Sequence, residues 1–227
     1  MATTKTIARP VRPAPFLYFR DHGKLLLVLV LGFATLTLAS VLGDRFAMTE
    51  SGPEALAGIV MEPPKTLPDL TLQHTDGLAW TSSDMHGRLS LFFFGYTNCP
   101  DVCPLTLSRA RQIYDALGAD AEAVDVYFTT VDPERDTPER LGRYVEQFNP
   151  AFLSLTGSTE QLEAAKNAFG VVAVRQETGS SSGYSVDHTA TSYLIDGTGS
   201  IRAVFPHDAA TEDVLHDIRV LLDETDS

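Results

Sequence analysis

The stretch FFFGYTNCPDVCP, Phe92 to Pro104, holds both cysteines of this 227-residue chain. It closes an apolar run, sets Cys99 and Cys103 with three residues between them and a proline after each, and leads into a helical pattern. The continuous apolar segment LSLFFFG, residues 89 to 95, predicts a strand buried on both faces. LTLSRARQIYDAL, residues 105 to 117, carries Leu105, Ala110, Ile113 and Leu117 at helical spacing. VDVYFTTV, residues 124 to 131, predicts a second buried strand. Strand, helix and strand in this order favour a parallel pair with a right-handed crossover.

Downstream, DTPERLGRYVEQF opens with Thr137 as N-cap, Pro138 at the first helical position and Glu139 in the first turn. STEQLEAAKNAF places Ser158 three residues before Gln161, a capping-box spacing. After VVAV (171 to 174) and a Gly- and Ser-rich stretch (179 to 183) come TSYLID (191 to 196), a GTG turn and IRAVF (201 to 205), which predict a hairpin. TEDVLHDIRVLLDE predicts a closing helix. A parallel βαβ half, inserted helices and a ββα half give the layout of a thioredoxin-like α/β domain, a central mixed sheet flanked by helices, expected over residues 67 to 227.

The N-terminal part reads differently. Residues 25 to 42, LLLVLVLGFATLTLASVL, contain no charge and as a helix span about 27 Å, against roughly 30 Å of bilayer hydrocarbon. The run is long for a signal peptide and ASVLGDRF is a poor cleavage site, so an uncleaved transmembrane anchor is expected. Residues 1 to 24 carry five Lys and Arg against Asp21, which holds that segment in the cytoplasm and exports the chain beyond the anchor. The short leader favours a bacterial inner membrane with the globular part in the periplasm. Residues 43 to 66, with Gly52, Pro53 and the pair Pro63 and Pro64, read as a tether.

Beyond the anchor stand 12 of the 17 Lys and Arg and 29 of the 30 Asp and Glu, a net −17. Such a surface excludes a general nucleic-acid or anionic-lipid binder.

A helix start just after the cysteines favours thiolates through its unpaired N–H groups and dipole. Three uses of the pair compete. A structural disulfide closes so small a loop that it constrains the unfolded chain little. A dithiol exchanger fits the position in this fold, with three spacer residues in place of two. A metal clip suits soft Cu(I) or zinc but needs a third ligand. Of six histidines, His22, His74, His86, His207 and His216 read as surface residues. His188, in YSVDHTATSYLID, enters the C-terminal hairpin, which a thioredoxin-like fold packs beside the cysteine loop.

GYTNCPDVCP, TVDPERDTPE and VDHTATSYLID, in this order and at these separations, resemble the Sco (SenC/PrrC) family of membrane-anchored copper-binding proteins of cytochrome c oxidase assembly. The similarity runs from about Leu67 to Glu224. It implies that Cys99, Cys103 and His188 bind one copper ion, Cu(I) or Cu(II). It also implies a metallochaperone whose partners are a copper-accepting oxidase subunit and other copper chaperones. A thiol-disulfide oxidoreductase acting on the acceptor's cysteines is the alternative, and it does not require His188. A thioredoxin-superfamily peroxidase fits the paired thiols less well. Asp187 or Asp101 is expected to support the imidazole or the loop. Loop hydrogen bonds and helix capping account for Asp132, Asp136 and Thr137, with shaping of the metal site as the other reading.

Overall fold

The computed structural model describes residues 55 to 179 and 183 to 225. Ten strands and four α-helices run in the order β1 (Ile59–Thr66), β2 (Thr71–His74), β3 (Ala79–Thr81), β4 (Leu89–Gly95), α1 (Val102–Leu117), β5 (Val124–Thr130), α2 (Pro138–Glu146), β6 (Leu153–Thr156), α3 (Thr159–Phe169), β7 (Ala173–Glu177), β8 (Tyr184–His188), β9 (Thr191–Ile195), β10 (Ser200–Pro206) and α4 (Thr211–Thr225). Eight strands form one mixed sheet in the order β1-β10-β9-β4-β5-β6-β2-β3, and β7 with β8 forms a separate two-stranded sheet. The parallel pairs are β4 with β5 and β5 with β6. The hairpin of β9 and β10 is antiparallel, and β9 also borders β4. This is the thioredoxin-like mixed sheet that the strand and helix order predicts.

β4 sits at the centre with all seven residues buried, the burial that its unbroken apolar run calls for. Alternate side chains serve opposite faces. Phe92 stacks on Phe169 of α3 at 4.6 Å, and Phe94 meets the same ring edge-on at 5.2 Å. On the other face Phe93 meets Phe128 of β5, which in turn touches Tyr144 of α2. Leu91 lies there with Ala110 and Ile113 of α1 and Val214 of α4. The two faces together make one continuous core, and β4 delivers its C-terminal end to the cysteine loop.

The helix starts are those the caps predict. Thr137 Oγ1 accepts from Arg140 N ahead of α2, and Ser158 and Gln161 form a reciprocal capping box ahead of α3. In α1 the buried stripe is Cys103, Leu107, Ala110, Ile113 and Leu117. Leu105, which the spacing assigns to that stripe, is 52% exposed. Leu105 is two residues from Cys103 and five from Ala110, offsets of about 160° and 140° around a helix, which turn it away from the stripe.

Residues 59 to 66 depart from the expected tether. They form β1, antiparallel to β10 with an irregular register between Val60 and Lys65. Two prolines there are compatible with an edge strand, where missing N–H groups can face away from the ladder. The polypeptide leading into β1 is also fixed: Ala57 and Gly58 donate their N–H groups to the buried Asp217 carboxylate of α4 at 2.7 and 2.9 Å. The compact unit accordingly starts at Ala55, ahead of the boundary read at Leu67. The expected anchor at residues 25 to 42 lies outside the described residues; among those described, no helix is long and apolar enough to cross a membrane.

Candidate metal centre

The cysteine loop joins the end of β4 to the start of α1. Cys99 N donates to Tyr96 O at 3.2 Å, making a tight turn that aims the Cys99 side chain at the helix. Asp101 occupies the N-cap position without a side-chain capping bond. Cys99 Sγ takes that part instead, accepting from Cys103 N at 3.4 Å. Pro104 then costs α1 nothing, because N–H groups in the first turn have no intrahelical acceptor. Cys103 is 2% exposed, whereas Cys99 is half-buried and reachable from solvent. Both thiols are free.

Room for Cys103 comes from Gly95. A Cβ at that position meets Cys103 Sγ at 2.8 Å and the Phe128 ring at 2.6 Å. Only a residue without a side chain lets the end of β4 pass so close beneath the sulfur.

The third donor arrives on β8. His188 Nε2 lies 3.5 Å from Cys103 Sγ, and its ring stands edge-on to Tyr96 at 5.8 Å. The other ring nitrogen, Nδ1, is 3.1 Å from the Thr189 carbonyl. A carbonyl only accepts, so Nδ1 carries a proton, and Nε2 is the ring nitrogen that faces the sulfurs and is placed to bind a metal. This contact corrects the expected role for a carboxylate: Asp187 and Asp101 are exposed, and a backbone carbonyl orients the imidazole.

The ligand atoms of Cys99, Cys103 and His188 all lie within 4.8 Å of one another. Thiolate and imidazole bonds of about 2.0–2.3 Å place trigonal donors roughly 3.5–4 Å apart, so a small closure around an ion completes a three-coordinate site. Two soft sulfurs and one imidazole form a donor set for copper or zinc, not for hard cations.

The electrostatics of the pair favour cation capture. Cys99 is drawn well below the ordinary thiol range, chiefly because Cys103 donates its S–H to the sulfur; burial opposes this, and contacts with His188 and backbone N–H groups reinforce it. Cys103 is pushed far up by the same shared proton and by its burial. The free pair thus holds one thiolate and one thiol at neutral pH. An arriving cation displaces the remaining proton.

The DPERDTPE segment braces this loop. Asp136, 1% exposed, accepts from Thr97 N at 3.1 Å, Thr97 Oγ1 at 2.5 Å and Thr130 Oγ1 at 2.7 Å. Arg140, in the first turn of α2, hydrogen-bonds Asn98 Oδ1 beside Cys99. Asp136 and Thr137 therefore do what loop bonding and capping require, and Asp136 does it on the segment that carries Cys99. Tyr96, Thr97 and Arg135 are supporting residues that sequence reasoning did not single out. Their signal was available, since they fall inside the GYTNCPDVCP and DPERDTPE motifs.

A SCO1/SenC family model matches residues 61 to 223. A SCO2-like protein of Rickettsia prowazekii is 36% identical over 141 residues, which cover 62% of this chain and 69% of the relative. Among solved structures, Bradyrhizobium japonicum ScoI with copper bound is 33% identical with a TM-score of 0.63, covering 69% of this chain and 99% of that one. The apo Sco1 protein of Thermus thermophilus is 36% identical with a TM-score of 0.67, covering 74% and 97%.

Proposed function

This chain belongs to the SCO1/SenC family, and from that premise we propose that it is a copper carrier that holds one ion through Cys99, Cys103 and His188. The observation that carries the reading is the convergence of two sulfurs and a correctly presented imidazole nitrogen within 4.8 Å. Two thiolates and a neutral imidazole satisfy Cu(I) at low coordination number, and one more oxygen donor or a water accommodates Cu(II). Copper is cargo here. The proposed recipient is the dinuclear copper centre of a cytochrome c oxidase subunit, reached from an N-terminal membrane anchor at residues 25 to 42 with the domain on the periplasmic side. Tethering raises the local concentration of a membrane-bound acceptor without adding a contact.

The deciding experiment loads the reduced protein with copper anaerobically, challenges it with a competing chelator, and measures copper retained per chain. One equivalent held by the wild type and lost in His188→Ala supports the carrier. Equal retention in both, or none in either, removes His188 from the site and defeats the reading.

One observation favours a second use of the cysteines. A reachable thiolate on Cys99 beside a buried thiol on Cys103 is also the arrangement of an attacking and a resolving sulfur. On that reading the domain reduces the acceptor's cysteines, and His188→Ala leaves thiol-disulfide exchange unchanged.

A further inference from the structure

The cysteines and the histidine stand on different supports. Cys99 and Cys103 belong to the loop between the central strand and α1, whereas His188 ends a two-stranded sheet that shares no ladder with the eight-stranded one among the described residues. An isolated hairpin is marginal in water. The two-residue link to β9 holds His188 from its C-terminal side, and side-chain contacts with the domain fix the rest of the hairpin and so the angle at which His188 is presented.

Those contacts fall on one face of β8. Tyr184, Val186 and His188 alternate along the strand and share that face, with register partners Glu177, Arg175 and Ala173 on β7. Val186 is 8% exposed, and its N–H donates to the Tyr96 hydroxyl at 3.3 Å. Tyr184, four residues and about 13 Å from His188, makes the most elaborate contact. Its hydroxyl donates to Asp132 Oδ1 at 2.7 Å. Its carbonyl accepts from Arg135 Nη1 at 2.8 Å. Its ring lies between two guanidinium groups, Arg135 at 3.6 Å and Arg175 at 3.7 Å. Arg135 is held in turn by Asp132 Oδ2 at 2.5 Å, and it also faces the Tyr96 ring at 5.7 Å. Tyr96 is the residue that touches His188.

We propose that Arg135, Asp132 and Tyr184 form a latch that fixes the β7–β8 hairpin on the domain and so positions His188 as the third donor, from about 13 Å away. Arg135 suits the task because its planar fork serves the Asp132 carboxylate and the Tyr184 carbonyl while its face stacks on the ring. Lysine provides the charge without the fork. The latch explains why the DPERDTPE motif belongs with the other two: Asp136, with Arg140 just beyond the motif, holds the cysteine loop, and Asp132 and Arg135 hold the histidine hairpin.

The test needs two readouts, because the copper part rests on the carrier reading. The first is metal-free: amide hydrogen exchange of the full chain at Val186 and its neighbours, compared with β4. Arg135→Gln and Arg135→Lys are expected to speed exchange in the hairpin about tenfold or more while leaving β4 unchanged, and Tyr184→Phe, which loses only the hydroxyl bond, to act less. Unchanged hairpin exchange, or equal acceleration in β4, overturns the latch whatever the metal does. The second readout is Cu(I) affinity, titrated against competing chelators of graded strength so that weakened binding is still measured, in Arg135→Gln, His188→Ala and the double variant. Loss of a residue that supports a metal ligand typically weakens binding about 10- to 100-fold, and that loss is expected in Arg135→Gln. The double variant should bind no more weakly than His188→Ala alone, since the latch acts only through the imidazole. Additive losses overturn the positioning role. Copper indifferent to His188→Ala, with hairpin exchange still faster in Arg135→Gln, would defeat the carrier reading and leave the latch standing.

Discussion

Gly95→Ala is the smallest change that tests how the sulfur pocket is built. The added methyl group meets the Phe128 ring at 2.6 and 2.8 Å and Cys103 Sγ at 2.8 Å, where comfortable carbon contacts lie near 3.5–4.0 Å. Relief requires movement of roughly 1 Å on one side or both. The Phe128 ring has little freedom: it is fully buried, edge-on to Phe93 at 5.4 Å and against Tyr144 at 6.0 Å. The burden falls on Cys103. Overpacking of this kind costs about 1–3 kcal/mol, offset by about 0.4–1 kcal/mol because alanine restricts the unfolded chain more than glycine. A net loss of about 1–2 kcal/mol corresponds to roughly 2–8 °C in melting temperature for a domain of this size. Thermal melts of the metal-free protein read the loss directly. Cys103→Ala should remove part of it, so the double variant is expected to be less destabilised than the two single changes together. A Gly95→Ala protein that melts and retains copper like the wild type, or strict additivity with Cys103→Ala, would refute the close approach as the reason for glycine here.

Other residues give separate checks. Alkylation of the metal-free protein by iodoacetamide, followed by mass spectrometry, should modify Cys99 in preference to Cys103 and at a rate nearly flat from about pH 5 to 8, where an ordinary thiol slows about tenfold per unit; Cys103→Ala, which removes the donated S–H and puts no other donor in its place, should restore a steeper dependence. Asp136 has its pKa raised, burial outweighing the bonds from Thr97 and Thr130. The folded state then binds that proton more tightly than the unfolded one, and this group's contribution to stability falls as pH rises from the ordinary carboxylate range, about 4, through the raised value. Urea midpoints of Asp136→Asn should lack that component, and the variant should lose about 1–3 kcal/mol from the mismatched donors at Thr97. Asp217→Ala strands the N–H groups of Ala57 and Gly58, so limited proteolysis near residues 55 to 58 should quicken several-fold, and unchanged cleavage would refute the clamp.

Much of the fold was legible because its central elements are extreme cases of simple patterns. β4 and β5 are apolar at most positions and buried along almost their whole length, and Thr137 and Ser158 carry complete capping signals, so local sequence and tertiary burial agree. The exceptions have physical causes. β1 contains Pro63 and Pro64 and comes just after Gly58, residues that punctuate most chains as loop, and only its pairing with β10 makes it a strand. The strands β2, β3 and β6 are three or four residues long and offer too little periodicity to stand out. For the candidate metal centre, the three candidate ligands were named by the family resemblance, and the fold brings their donor atoms within 4.8 Å of one another. Their supports were legible only as motif membership, because residue type did not distinguish their tasks. Asp187 or Asp101 was expected to support the imidazole or the loop, yet alternation along β8 turns Asp187 to the opposite face from His188. The Thr189 carbonyl has no sequence signature.

On the copper-carrier reading, the unequal burial of the three donors sets an order of release. An incoming thiolate reaches Cys99, half-buried at the surface of the loop, and it reaches the copper from the side of His188, whose hairpin shares no ladder with the main sheet among the described residues. It does not reach Cys103, which is 2% exposed and enclosed by Gly95 and the Phe128 ring. Exchange therefore starts by replacing Cys99 or His188 at the metal, and Cys103 is the last donor to let go. The proton balance agrees: Cys103 is the sulfur whose thiol form the metal-free protein favours, so on this reading Cys103 takes up a proton as the ion departs. A carrier needs a site that binds tightly yet yields to a competing ligand. Here the buried sulfur supplies retention, and the exposed sulfur and the latched imidazole supply the way out.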